Sequence, residues 1–252
     1  MTDAATAARA LGLIDLTNLE DGCTEADIRA LAERAETPHG SVAALCVWPD
    51  FVELAAASVD GRHVGIATVV NFPGGGDDLA DVVALTKRCT GAGATEIDTV
   101  IPYRSMLADD GATVTRHVET VRVASGNAIL KCILETGELG DEALVRRASR
   151  RAIEAGADFI KTSTGKVAVN ATPEAARWML EEIASTGRSD VGFKPAGGIR
   201  TVEDAAAYLA IADEIMGEAW ATPETFRFGA SSLLGNVLEA LGEGRGDGGT
   251  GY

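Results

Sequence analysis

Short apolar runs rich in β-branched residues alternate with longer amphipathic segments along the whole chain. Each run is followed by a segment of helical periodicity, and the runs recur roughly every thirty residues, which is the pattern of βα units around a parallel sheet. The predicted strands are Gly12–Thr17, Val42–Val47, Val64–Phe72, Glu96–Ile101, Ala128–Leu134, Phe159–Thr162, Val191–Pro195 and Arg227–Gly229. The sequence therefore predicts an α/β protein with eight parallel strands.

Helix start signals fall where this pattern requires them. Thr24 with Asp27, and Thr201 with Asp204, have the spacing of capping boxes. The chain has 252 residues and 46% hydrophobic content. This length is typical of one α/β barrel with a single large core.

Both a closed barrel and an open doubly wound sheet are compatible with this strand pattern. No G-x-G-x-x-G or Walker-type loop follows the first strand, and charged residues occur near the carboxyl ends of several strands. Barrel enzymes assemble their sites from those ends. We therefore predict a single-domain (β/α)₈ TIM barrel over residues 1–241. The glycine-rich remainder, residues 242–252, is predicted to be a flexible tail.

Composition excludes several classes of function. The net charge of −16 disfavours binding to nucleic acid or anionic lipid. No apolar run is long enough for a membrane span, and the first ten residues do not resemble a secretory signal. Four scattered cysteines and three scattered histidines indicate neither a disulfide framework nor a metal centre. We expect a cytoplasmic protein.

Three lysines interrupt apolar strand runs: Lys131, Lys161 and Lys194. A buried ammonium is costly unless it is paired, so each lysine could belong to a structural ion pair, with Asp98 and Glu135 as partners. Three such lysines on consecutive strands favour a functional role instead, because a packed interior seldom collects like charges without use.

Clustered lysines suit amine chemistry. A free lysine has a pKa of about 10.4, and both desolvation and a second cation lower it, which exposes a nucleophile that can form an imine with an aldehyde. A carboxylate beside it can shuttle protons. The segments Gly91–Asp98 and Glu154–Lys161 form a weak repeat, which predicts that Asp98 and Lys161 lie at similar depth. Asp98 could shuttle protons, neutralise the lysines, or do both.

Three glycine-rich segments follow the last three predicted strands: Thr162–Lys166, Pro195–Arg200 and Phe228–Ser232. Glycine lets backbone N–H groups approach an anion, and a helix N-terminus adds unpaired donors. Barrels often bind phosphate at the loops after strands seven and eight. Together the three segments predict a phosphate site.

The longest motifs are DFIKTSTGKVAVNATPE, VGFKPAGGIRT, NFPGG, ETGEL and RFGASSLL. Through these motifs the chain resembles the class I 2-deoxyribose-5-phosphate aldolase family over nearly its whole length. The resemblance implies reversible cleavage of 2-deoxy-D-ribose 5-phosphate to D-glyceraldehyde 3-phosphate and acetaldehyde, in deoxyribonucleoside catabolism. It implies no metal and no organic cofactor.

The resemblance also implies catalytic roles. Lys161 would form the Schiff base, Lys194 would be the cation that lowers the pKa of Lys161, and Asp98 would be the proton-relay carboxylate. Tyr252 occupies the position of a C-terminal tyrosine that assists proton transfer in some relatives.

Ten further positions match substrate-binding residues of the family. Asp15 and Thr17 would help to hold the sugar hydroxyls. Cys46 matches a cysteine near the pocket, although a small core residue is the simpler interpretation. The phosphate-binding positions are Gly165, Lys166, Gly197, Gly198, Gly229, Ser231 and Ser232.

The expected partners are a small-molecule phosphosugar, acetaldehyde and further copies of the chain in a dimer or tetramer. Two alternative functions remain at this stage. One is a different Schiff-base phosphosugar aldolase or transaldolase. The other is a non-catalytic phosphosugar sensor that keeps the pocket without turnover.

Overall fold

A computed structural model describes residues 3–242 and contains all eight predicted strands, with ends within two residues of those expected. In chain order they are β1 Ile14–Asn18, β2 Ala44–Val47, β3 Gly65–Val70, β4 Glu96–Val100, β5 Ile129–Ile133, β6 Phe159–Lys161, β7 Gly192–Lys194 and β8 Phe228–Ala230. Residues 243–252, including Tyr252, lie outside the described part of the chain.

The strands form one parallel sheet in the order β8-β1-β2-β3-β4-β5-β6-β7. The sheet closes between β7 and β8. There the Phe193 amide donates to the Thr225 carbonyl at 2.8 Å, and the Gly229 amide donates to the Pro195 carbonyl at 3.0 Å. These bonds confirm the predicted (β/α)₈ TIM barrel.

Helices surround the barrel. They are α1 Asp3–Leu11, α2 Glu25–Glu33, α3 Val52–Ser58, α4 Leu79–Gly91, α5 Ala112–Ser125, α6 Thr136–Leu139, α7 Glu142–Glu154, α8 Pro173–Thr186, α9 Val202–Met216 and α10 Leu233–Ala240. Thr24 and Thr201 begin α2 and α9 with complete capping boxes, as predicted. The sequence did not indicate α1, which packs against α9 and α10 and is joined to α9 by the Arg9–Asp213 ion pair. Within residues 3–242, no helix is both long and apolar enough to cross a membrane.

The barrel interior is chemically divided. The walls of β1, β2 and β3 contribute a small apolar cluster of Leu19, Ala44, Cys46, Ala67 and Val69. The strands from β4 to β7 contribute the acidic and basic side chains that the sequence placed inside the sheet. Asp15 on β1 and Arg227, one residue before β8, join these ionisable groups in the barrel interior.

Candidate active site

The three strand lysines converge on Asp98, which lies on β4 and is completely buried. Lys161 donates a hydrogen bond to Asp98 Oδ2 at 2.8 Å, and Lys194 donates to the same oxygen at 2.7 Å. Lys131 donates to Asp98 Oδ1 at 3.0 Å. Strand alternation brings these four side chains together, because each lies on the inward face of its strand.

Three further ionic groups complete this cluster: Asp15, and Glu96 and Arg227, to which the sequence analysis assigned no role. Glu96 and Arg227 are both buried, and Glu96 accepts hydrogen bonds from Lys131 and from Arg227. Glu96 had a signal in the sequence, which was period-two alternation, since it lies two residues before Asp98 on the same strand face.

The cluster contains three carboxylates and four basic groups among the described residues. They are Asp15, Glu96, Asp98, Lys131, Lys161, Lys194 and Arg227. With every group ionised, the cluster would carry one excess positive charge in a buried setting. Loss of the proton from one lysine would balance it.

Lys161 is the lysine that the geometry selects for this loss. It pairs with Asp98 alone, whereas Lys194 pairs with both Asp15 and Asp98. Burial lowers the pKa of Lys161, and Lys194 adds to this effect, so that together they outweigh the opposing influence of Asp98. Burial also disfavours the charge on Lys194, but Asp15 and Asp98 hold its pKa above the ordinary value. Lys161 is therefore the readily deprotonated amine.

Asp98 remains an anion in this setting. Burial by itself would raise its pKa, but the three adjacent lysines, Lys131, Lys161 and Lys194, hold that pKa well below its ordinary value. A carboxylate that contacts two amines through one oxygen can pass protons between them and a substrate.

A cavity of about 180 Å³ opens above Lys161 at the carboxyl ends of β1, β6, β7 and β8. All seven predicted phosphate-binding residues line it, as do Thr17 and Lys161: the seven are Gly165, Lys166, Gly197, Gly198, Gly229, Ser231 and Ser232. Leu19, Thr164, Asn170 and Arg200 also line the cavity. Thr164 and Arg200 lie within the segments predicted to bind phosphate, whereas Leu19 and Asn170 had been assigned no role.

The glycines of this cavity have identifiable structural reasons. Gly197 has a φ of +86°, and a Cβ there would lie 2.7 Å from Asn170 Cβ. A Cβ at Gly229 would lie 2.8 Å from Ala196 Cβ and 3.2 Å from Lys194 Cε. Substitution at either position would therefore narrow the cavity or displace a neighbouring side chain.

Asp15 and Cys46 are fully buried in the barrel interior. Asp15 was expected to hold sugar hydroxyls, but its carboxylate contacts Lys194 at 2.5 Å and Arg227 at 2.6 Å. The pKa of Cys46 is raised by burial, which keeps this thiol protonated and consistent with a small core residue.

Glu135 does not serve as the lysine partner that the sequence suggested. Glu96 occupies that role, because it contacts Lys131 together with Asp98, while Asp15 lies 3.5 Å from the same amine. Glu135 instead accepts a hydrogen bond from the Thr164 amide at 3.1 Å and has a left-handed φ of 56°. It thereby tethers the loop after β6 to the end of β5.

Comparison with known proteins identifies the family. A family model described as DeoC/LacD family aldolase matches residues 9–237. The chain belongs to the DeoC/LacD aldolase family. It is accordingly an aldolase, which is a carbon–carbon lyase.

Individual relatives agree with this assignment. This aldolase is 56% identical over 240 residues to a deoxyribose-phosphate aldolase from Agrobacterium fabrum, covering 94% of this chain and 92% of the relative. A putative deoxyribose-phosphate aldolase from Coccidioides immitis is 30% identical, with a TM-score of 0.82 and coverage of 93% and 86%. A deoxyribose phosphate aldolase from Aeropyrum pernix, described as a unique tetramer, is 27% identical, with a TM-score of 0.76 and coverage of 95% and 92%.

Proposed function

We propose that this aldolase reversibly cleaves 2-deoxy-D-ribose 5-phosphate to D-glyceraldehyde 3-phosphate and acetaldehyde through a Schiff base on Lys161. The observation that carries the proposal is the position of Lys161. Its readily deprotonated amine lines the glycine-rich cavity and contacts the Asp98 carboxylate at 2.8 Å. Relatives named as deoxyribose-phosphate aldolases support the choice of substrate.

In the proposed reaction, the Lys161 amine attacks the C1 aldehyde of the open-chain sugar, and loss of water gives a protonated imine. The C3 hydroxyl then loses its proton and the C2–C3 bond breaks. The electron pair of that bond moves into the imine, leaving an enamine on Lys161 and releasing glyceraldehyde 3-phosphate. Protonation of the enamine and hydrolysis of the resulting imine release acetaldehyde and regenerate the amine.

Asp98 is proposed to relay protons through water, with Lys194 maintaining the positive charge beside Lys161. Asp98 lies within hydrogen-bonding distance of both Lys161 and Lys194, so a proton can move between these groups without rearrangement of their side chains. The same proposal includes Tyr252, which lies outside the described residues.

The phosphate is proposed to lie among the loops after β6, β7 and β8. Backbone amides of Gly165, Gly197 and Gly198 would face it, and Ser232 lies at the N-terminus of α10. Lys166 would supply positive charge beside the phosphate. The net charge of −16 repels an anion at long range, so the attraction must come from such a local group. Thr17, also in the cavity wall, would contact the sugar.

The proposed setting is deoxyribonucleoside catabolism in the cytoplasm. All four cysteines, which lie within the described residues, are free thiols, and this supports a reducing compartment. We also propose a homo-oligomer, which the tetrameric Aeropyrum pernix relative supports.

A cleavage assay tests the function. The wild-type protein should convert 2-deoxyribose 5-phosphate to two aldehydes and should act far more slowly on ribose 5-phosphate and fructose 1,6-bisphosphate. Lys161→Met should lose activity by at least about a thousandfold, since no amine then remains to form the imine. Lys87→Met, which removes an exposed lysine on α4, serves as the matched control and should retain activity.

Two outcomes would contradict the proposal. A preference for ribose or fructose phosphates would indicate a different aldolase of the same chemistry. Phosphosugar binding without product formation would indicate a sensor.

A further inference from the structure

The buried ionic groups form a closed ring of alternating charge. Following the contacts in order, Asp98 pairs with Lys131, Lys131 with Glu96, Glu96 with Arg227, Arg227 with Asp15, Asp15 with Lys194, and Lys194 with Asp98 again. Lys161 lies outside this ring and joins it through Asp98. The ring is electrically neutral when all six members are ionised.

Glu96 and Arg227 lie on the far side of the ring from Lys161. Their side chains are 4% and 6% exposed, and neither lines the cavity above Lys161. Arg227 donates to Asp15 Oδ1 at 2.6 Å and to Glu96 Oε1 at 3.0 Å, which makes it the link between β1 and β4 across the barrel.

The ionisable groups that face Lys161 come from four elements. Asp98 on β4 and Lys194 on β7 are the nearest charges, while Cys46 on β2 and Glu135 after β5 lie further away. Both Asp98 and Lys194 are ring members. A change of charge in the ring therefore alters the electrostatic environment of Lys161 through these two residues.

We propose that Glu96 and Arg227 are positioning residues that control the charge on Lys161 through this ring, without touching substrate. The proposal rests on the proposed function of Lys161 as the Schiff-base amine. It assigns a role in the reaction to two residues buried beneath the cavity floor.

Removal of the Glu96 charge should lower the proton affinity of Lys161. In Glu96→Gln, Lys131 loses one of its three carboxylates and keeps Asp98 at 3.0 Å and Asp15 at 3.5 Å, so its ammonium interacts more strongly with Asp98. Asp98 then stabilises the Lys161 ammonium less well, and the ring carries one excess positive charge. Both effects favour the neutral amine.

Removal of the Arg227 charge should act in the opposite direction. In Arg227→Met, Asp15 and Glu96 lose their shared cation and draw Lys194 and Lys131 towards themselves. Asp98 then interacts less with Lys131 and Lys194 and more strongly with Lys161. The ring carries one excess negative charge. Both effects favour the ammonium.

The test is the pH dependence of kcat/KM for cleavage of 2-deoxyribose 5-phosphate, whose ascending limb reports the amine that must be unprotonated. The limb should move to lower pH in Glu96→Gln and to higher pH in Arg227→Met, each by roughly one pH unit. Arg227→Lys, which keeps the charge, should retain the wild-type limb. Glu214→Gln and Arg177→Met remove the same charges from an exposed ion pair between α8 and α9 and should not move it.

A second readout is independent of turnover. Acetaldehyde condenses with the free amine to an imine, and borohydride delivers a hydride to the imine carbon, which fixes an ethyl group on the lysine nitrogen. The pH midpoint of this trapping on Lys161 should shift in the same directions as the kinetic limb.

Unchanged limbs, or limbs that move the same way in both variants, would overturn the proposal, because a merely structural role has no dependence on the sign of the charge. If a single variant does not fold, the double variant Glu96→Gln/Arg227→Met provides the test. Its ring is neutral again, so its limb should stay within roughly 0.3 pH units of wild type, and a larger shift would contradict the proposal. Failure of the wild type to form any adduct on Lys161 would instead reject the proposed function itself.

Discussion

At the scale of single residues, Lys161 differs from the two other strand lysines in what it contacts. Lys131 and Lys194 each join at least two carboxylates, and burial of all these groups is offset by their mutual attraction. Lys161 shares one carboxylate with both of them. Its ammonium is therefore the least compensated charge of the cluster, which is the condition that favours a deprotonated, nucleophilic amine.

This difference predicts opposite effects on stability. Lys131→Met should lower the free energy of unfolding by about 3–5 kcal/mol, because it leaves Glu96 and Asp98 short of a buried partner. Lys161→Met should leave stability unchanged or raise it, since the remaining six groups balance in charge. Thermal and urea unfolding of the two variants at neutral pH would measure this. Equal destabilisation by both would show that Lys161 is a structural cation.

At the scale of elements, the cavity proposed to hold the phosphate is lined mainly by the three loops after β6, β7 and β8 rather than by any one motif. The glycines identified these loops in the sequence, because an anion cradle needs close backbone approach. Asn170 could not be found in the same way. It reaches the cavity because the loop after β6 folds back, tethered by Glu135, and nothing in the local sequence specifies that path.

A pair of glycine substitutions tests the cradle. Gly197→Ala should raise KM for 2-deoxyribose 5-phosphate by roughly tenfold or more, because the new methyl group displaces Asn170 and the backbone prefers a left-handed φ. Gly235→Ala is the matched control: it lies in α10 with nothing within 4 Å of the added Cβ and should leave KM unchanged. Steady-state kinetics decide the matter, and an unaltered KM in Gly197→Ala would place the phosphate elsewhere.

At the scale of the whole molecule, the strands and their order were predictable, because apolar runs and capping residues repeat with each βα unit. The closed charge ring was not. It depends on the strand register that places Arg227, near the end of the chain, beside Asp15 and Glu96. The register where β7 meets β8 is set by closure of the barrel rather than by local sequence. The helix α1 was not predicted because it precedes the first strand and lies outside the repeating βα units. It packs against α9 and α10.

A buried histidine between the sheet and the surrounding helices should make the free energy of unfolding depend on pH. His117 on α5 bonds Thr99 on β4 at 2.9 Å, and burial lowers its pKa from 6.5 to about 4. The neutral form is favoured on folding, so this contribution is complete above pH 6.5 and is lost as the pH falls towards 4. The loss should be roughly 3 kcal/mol.

Urea unfolding between pH 7 and pH 4 measures this loss. His117→Asn should unfold with a weaker pH dependence across that window. The ring carboxylates Asp15 and Asp98, whose pKa values are lowered, lose their stabilisation only below about pH 4 and act in a separate range. A wild-type stability that stays flat from pH 6.5 to 4 would contradict the account of His117.

The most direct measurement is borohydride trapping with 2-deoxyribose 5-phosphate or acetaldehyde, followed by mass-spectrometric mapping of the modified peptide. The account predicts one modified lysine, Lys161, which carries an ethyl group from acetaldehyde or the reduced sugar phosphate from the intact substrate, with Lys131 and Lys194 unmodified and the adduct lost in Lys161→Met. A cleavage-competent protein that gives no adduct, or one that carries the adduct on Lys194 or Lys166, would show that the reacting amine has been wrongly assigned.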